Sequence, residues 1–265
     1  MDSVFLIALI AAVAFGPSHS GYAWRLGPNP GVCTLDQDVP SGGTLEVSKP
    51  IGRGTSIVEY KNGDSADETT VEVHDAKVSL SPTVSFTGDA RFRTSSSRRP
   101  PNWIAVEITD PTFLTKFADS TSMVLANSRF GQVTMPVRAA EAAAQALVSC
   151  EQTRLRDWGI DPAAWQGLRS RPTPLNSPAT WLNSANYPYV GVRYGVGAYV
   201  VALLTVNADG TVQSCEGLNQ NVPEDFNSNT CHALKRHARF HPAIDASGHP
   251  TSAPYIVAIQ YMIGR

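Results

Sequence analysis

Residues 198–217, AYVVALLTV-NADG-TVQSCEG, read as two strands joined by a tight turn. Ala198 to Val206 is dense in β-branched and aromatic side chains, which suit a pleated, half-buried surface. Asn207-Ala208-Asp209-Gly210 supplies the turn, with Gly210 free to take the positive φ that a hairpin requires. Thr211 to Gly217 returns as the second strand. Downstream, Phe226, Thr230, Ala233, Leu234 and His237 recur at helical spacing, which predicts a helix from Glu224 to Arg239. Tyr255 to Ile263 is a long final strand that places Tyr255, Val257, Ile259 and Tyr261 on one face. Upstream, Ser177-Pro178 reads as a cap and first-turn proline opening a short helix through Trp181 and Leu182. The order is α, β, β, α, β.

Further residues follow a known order. Tyr187-Pro188 and Val196-Gly197 precede the first strand, and Asn207-Ala208-Asp209-Gly210-Thr211-Val212 makes its turn. Ala233-Leu234, Ala238-Arg239-Phe240, Pro242-Ala243 and Gly248-His249-Pro250 lead to the final strand. In these residues the C-terminal third, from about Tyr187 to Arg265, resembles the TonB C-terminal domain, and Cys215 with Cys231 resembles a cysteine-containing branch of that family. The resemblance implies a periplasmic domain that, in energy transducers, grips a short segment of an outer-membrane receptor. The physical mode is β-augmentation, in which an extended peptide pairs with an exposed sheet edge through its backbone. The candidate edge is the final strand with Tyr255, Val257, Ile259 and Tyr261; their side chains read as core filling and the backbone as the contact. A transducer also needs an uncleaved anchor helix and a long Pro-rich spacer, and neither is expected here. The stretch around Pro172 and Pro174 reaches only a few tens of ångströms at ~3.1 Å per residue.

Between Trp24 and about Pro136 short β-prone runs alternate with turn residues. The predicted strands are Thr44–Ser48, Ser56–Tyr60, Thr70–Val73, Lys77–Leu80, Val84–Thr87, Trp103–Ile108, Met123–Ala126 and Gln132–Met135. Ser41-Gly42-Gly43, Asn62-Gly63-Asp64 and Thr87-Gly88-Asp89 are read as turns between them. Asp110-Pro111 opens a short helix through Phe113, Leu114 and Phe117, and a longer helix is expected from Val137 to Trp158, stopped by Gly159. Asp161-Pro162 caps another short helix through Trp165. Trp24, Cys33, Cys150 and Trp158-Gly159-Ile160-Asp161-Pro162 faintly resemble an extracytoplasmic domain that precedes TonB-type modules, which brings no activity with it. The fold class expected is α+β: a β-rich N-terminal domain with C-terminal helices, then a small TonB-like αββαβ domain. The boundaries are 1–23 signal peptide, 24–170 β-rich domain, 171–186 linker and short helix, and 187–265 TonB-like domain.

Export is expected from the apolar run Val4 to Phe15, which at about a dozen residues fits a signal-peptide core, whereas a bilayer span needs ~20. Small and breaking residues follow, and cleavage after Ala23 or Ser20 is expected, although Asp2 stands where a signal usually carries Lys or Arg. No later segment is long and apolar enough to span a membrane. The four cysteines, Cys33, Cys150, Cys215 and Cys231, suit an oxidising compartment. Three pairings are possible, and domain order makes Cys33–Cys150 with Cys215–Cys231 the economical one.

A net charge of −2 argues against nucleic-acid binding, which needs a basic face. Arg91, Arg93, Arg98 and Arg99, interrupted by Ser95 to Ser97, read as a solvated loop. Cys215, Cys231, His232, His237 and His241 contain zinc-ligand residue types, yet in an oxidising compartment the two thiols read as a disulfide. Gly191, Gly195 and Gly197 precede a strand, whereas a phosphate loop precedes a helix. Asp64, Asp67 and Glu68 lack calcium-loop spacing. No hydrolase elbow, zincin run or Walker loop is present. The expectation is a non-enzymatic periplasmic binding protein without cofactor, catalytic residue or metal. Its partner would be an outer-membrane receptor peptide, another envelope protein or peptidoglycan. The alternative is an envelope enzyme with catalytic residues in its N-terminal domain.

Overall fold

The computed structural model describes residues 23–27, 31–63, 69–94, 101–219 and 221–262. Val4 to Phe15, the cleavage site after Ser20, Asp64, Asp67, Glu68, the Ser95 to Ser97 run, Arg98 and Arg99 lie outside them. From Arg25 to Pro136 the chain reverses at every strand end, so neighbouring strands are antiparallel. The strands are β1 (Arg25–Leu26), β2 (Val32–Asp38), β3 (Thr44–Pro50), β4 (Ser56–Lys61), β5 (Thr69–Leu80), β6 (Val84–Thr94), β7 (Trp103–Ile108), β8 (Ser122–Asn127) and β9 (Gly131–Pro136). They form one nine-stranded sheet in the order β1-β2-β3-β4-β7-β6-β5-β8-β9. The sheet curls back on itself: Gln37 on β2 donates from Nε2 to the Pro136 carbonyl at the far end of β9 (2.9 Å).

Several local expectations are corrected. Thr70–Val73 and Lys77–Leu80 are one strand, with a register irregularity between Val73 and Ala76. Thr87-Gly88-Asp89 is the middle of β6 rather than a turn. Glycine is needed there because a Cβ on Gly88 would stand 2.1 Å from the Glu107 carbonyl oxygen on β7. β2 buries Cys33, Leu35 and Gln37 on one face and alternates them with Thr34 and Asp36, and Asp36, Gln37 and Asp38 weaken its strand signal in the sequence.

Helix α1 (Phe113–Ala118) and helix α2 (Ala140–Asp157) pack together and close this core. Phe113, Phe117, Met123, Leu125 and Leu147 are fully buried there. α2 starts later than Val137 because Ala139 is in the left-handed region, with φ 48°. Cys150 on α2 is bonded to Cys33 on β2, with Cα atoms 6.0 Å apart. Helix α3 (Pro162–Gln166) is capped as expected, the Asp161 carboxylate accepting from the Ala163 N–H.

The stretch 169–176 is held to the C-terminal part by hydrogen bonds. The Arg169 and Ser170 N–H groups donate to the Ile244 carbonyl. β10 (Thr173–Pro174) pairs with β13 (Phe240–His241), and the Leu175 N–H donates to Arg239. Instead of a helix through Trp181 there are two 3-10 turns, Pro178–Thr180 and Ser184–Asn186, followed by helix α4 (Tyr189–Tyr194). Then come β11 (Ala198–Val206), β12 (Val212–Gly217), helix α5 (Glu224–His237), β14 (Ala243–Ile244), β15 (Pro250–Thr251) and β16 (Ala253–Tyr261). The three-stranded sheet has the order β12-β11-β16.

Both faces of β11 and of the first part of β16 are covered, which their apolar side chains on both sides demand. One face, with Leu204 and Val257, packs on Trp181, Leu234 and Phe240. The Cys215–Cys231 disulfide ties β12 to α5 above it. The opposite face, with Val201 and Ile256, is continuous with the core of the nine-stranded unit. Among the described residues, no helix is long and apolar enough to cross a membrane.

Candidate partner-binding edge

β16 forms one edge of its sheet, and among the described residues no strand pairs with its outer side. In an antiparallel ladder the N–H and C=O of one residue point to the same side, and the side alternates along the strand. The Val201 N–H donates to Asn219 Oδ1, and the Val201 carbonyl accepts from the Leu218 N–H, both on the β12 side. Val201 lies opposite Ala258. That pair therefore shares no hydrogen bond, and Ala258 turns its N–H and C=O outward. Ile256 and Gln260 share this parity, as does Pro254. Proline is tolerated in a strand where the missing N–H would face solvent, and Pro254 occupies such a position. Outward backbone groups thus belong to Ile256, Ala258 and Gln260, with the Pro254 carbonyl.

Tyr255, Val257, Ile259 and Tyr261 have the other parity, opposite Leu204, Ala202, Val200 and Ala198. Their backbone groups point toward β11, and their side chains fill the domain core. The Tyr255 ring lies 4.7 Å from Phe240, and Tyr261 lies 5.1 Å from Phe226 between ring centroids. The Tyr261 hydroxyl is hydrogen-bonded to Thr230 Oγ1 at 2.8 Å. Burial pushes both phenols above their ordinary pKa. Which residues face the core was legible in the sequence; which face the open edge was not, because that depends on the bonds Val201 makes with β12 and its extension.

Cover over the strand's other face fades along its length. Ile256 is buried, Ala258 half-buried and Gln260 exposed, so the nine-stranded unit shields the start of β16 and leaves its end free. No charged residue occurs from Ala253 to Met262. Exposed edges are usually blunted by charge, proline or a bulge, and here the only such device is Pro254 at the start. At the free end, a Cβ on Gly197 would stand 2.5 Å from the Tyr261 carbonyl, so only glycine lets β11 begin there. Tyr189, Val192 and Tyr194 on α4, together with Met262, are exposed apolar residues.

Residues 183–263 match the family model of the Gram-negative bacterial TonB protein C-terminal. This segment is a TonB C-terminal domain. No curated protein and no solved structure matches the chain. Trp181 lies before the matched TonB segment yet is fully buried in the core of that domain.

Other residues singled out by the sequence are placed as follows. Cys215 and Cys231 are bridged, so neither offers a thiolate to a metal. His237 ends α5 and His241 lies in β13. Among the described residues no group of three or more His, Cys, Asp or Glu side chains could hold a metal ion. Gly191 is inside α4, where a Cβ would press into the Phe226 and Tyr187 rings, and Gly195 ends that helix at φ 65°. In the nine-stranded unit, burial pushes the Glu46 carboxyl up against the pull of Lys61 at 2.7 Å. The Thr112 hydroxyl and N–H lower the pKa of Asp110 at the entry to α1.

Proposed function

We propose that this chain is a non-enzymatic, exported envelope protein whose TonB C-terminal domain captures an extended segment of another envelope protein by strand addition. The capturing groups are the outward N–H and C=O groups of Ile256, Ala258 and Gln260. One observation carries this reading: an uncharged edge strand whose open donors are unpaired among the described residues, in a domain whose family implies contact with envelope proteins. A segment of an outer-membrane receptor is the leading partner.

Gln260→Pro tests the reading. It removes one outward N–H, its side chain is exposed, and the bonds of β16 to β11 are left intact. The expected result is a folded protein that loses at least tenfold of its partner capture from envelope extract. Gln260→Thr keeps the donor and is expected to capture normally. Ile259→Pro, by contrast, breaks the ladder to Val200 and should unfold the domain. Full-strength capture by folded Gln260→Pro protein would rule out strand addition.

Export is a separate expectation. Mature protein should begin near Gly21 or Trp24, and intact-mass measurement on periplasmic extract reads this directly. A mass that still includes Met1 to Phe15 would refute it.

A further inference from the structure

We propose that the nine-stranded unit completes the peptide site, with Arg53 and Arg171 receiving the carboxylate of an acidic residue in the strand that pairs with Ile256, Ala258 and Gln260. This rests on strand addition at β16. The turn after β3, residues 51–54, lies against the start of that strand. A Cβ on Gly52 would stand 3.2 Å from Ile256 Cδ1 and 3.4 Å from Trp165 Cζ2. Arg53, the next residue, is exposed, and its charge acts on the Tyr255 phenol from across the domain boundary. Arg171 is half-buried, with its guanidinium 4.8 Å from the Trp165 ring centroid and Nη1 3.4 Å from a Cβ position on Gly54.

Among the described residues, neither guanidinium has a carboxylate within ion-pair distance. The nearby Glu151 acts on Arg171 electrostatically but is committed elsewhere. It pairs with Lys49 at 3.3 Å, and its other oxygen lies 3.5 Å from the Gly52 N–H. Lys49 and Arg171 thus share one carboxylate at this end of the strand, and Arg53 has none within ion-pair distance among the described residues. A half-buried cation without a counter-ion costs free energy, and an incoming carboxylate recovers it through charge-assisted hydrogen bonds to a planar fork. The remainder of β16 is uncharged, so the rest of the peptide needs no charge. The partner is therefore an extended segment with Asp or Glu at the end that lies beside Ile256, and uncharged residues along Ala258 and Gln260.

The test is a phage library of random decapeptides panned on the full chain, on Gln260→Pro, and on Arg53→Gln/Arg171→Gln. Arg53→Gln alone serves as a second variant, because Arg53 is exposed and its loss leaves the Trp165 stack untouched. Peptides enriched on the wild type should carry Asp or Glu at least twofold above library frequency. Anisotropy on a labelled, enriched peptide should show affinity falling about tenfold in the double variant at low salt, with the difference shrinking as salt screens the pair. Peptides that lack acidic enrichment but still depend on Gln260 would overturn the cationic site and leave strand addition standing. Enrichment indifferent to Gln260→Pro, or none at all, would overturn both. A second copy of the chain as the true occupant would appear as a dimer lost on Gln260→Pro, and would likewise overturn the acidic-peptide site.

Discussion

Replacing Cys33 and Cys150 by alanine is expected to lower the stability of the protein by about 5 kcal/mol. The bridge closes a loop between residues 117 apart in sequence, and in the chain-entropy account loops of that size constrain the unfolded state most. It also joins β2, close to one edge of the sheet, to α2, which follows the last strand of that sheet. Without it, the curl depends on smaller ties such as the Gln37 bond to Pro136 and the Trp24 indole bond to the Arg138 carbonyl. Urea unfolding should show the loss as a lower midpoint, with a fall in melting temperature of roughly 10–20 °C. The Cys215→Ala/Cys231→Ala pair closes a separation of only 16 and should cost about 3 kcal/mol. If the Cys33→Ala/Cys150→Ala protein unfolds within about 1 kcal/mol of wild type, the bridge is not what holds the sheet closed.

Much of the TonB C-terminal domain was legible because its signals are local. β11 runs over Ala198–Val206 as its composition predicts, and Gly210 takes φ 82° in the turn. Long-range packing decided what was not legible. Thr87-Gly88-Asp89 has the composition of a turn, and only the approach of Glu107 on β7 reveals Gly88 as a close-contact site within a strand. Pro172 and Pro174 suggest a loose tether, yet Pro172 is buried and Pro174 pairs opposite Phe240. α4 leaves little trace in the sequence because Tyr189-Val190-Gly191-Val192-Arg193-Tyr194 is a weak helix former by propensity. It is held by tertiary contact, Gly191 letting the backbone lie against Phe226 and Tyr187. At the candidate site the sequence carries the face alternation of β16 but not its edge parity, nor the arginines that a distant turn and the stretch after α3 bring beside it.

Trp181→Ala is expected to cost about 4 kcal/mol, within the 3–5 kcal/mol typical of removing a large buried aromatic. Trp181 is fully buried, with its ring 5.3 Å from Phe240 and 6.3 Å from Tyr255 between centroids. Its Nε1 donates to Asn176 Oδ1 at 2.8 Å, an oxygen that also accepts from the Arg239 N–H. The substitution therefore leaves a cavity and weakens the clasp by which residues 173–176 hold the end of α5. Trp181→Phe restores most of the packing but not the donor, so it should recover the larger share of the loss. The effect should reach the candidate edge, because Tyr255 leans on the same indole at the start of β16. Hydrogen exchange on the full chain reads this: β11 and β16 amides should lose protection in Trp181→Ala while β7 amides keep theirs. An unfolding midpoint that shifts by less than the equivalent of ~1 kcal/mol would mean that the domain core tolerates the cavity. Trp181 would then be a covering residue, and the TonB C-terminal domain would be complete without the segment that precedes it.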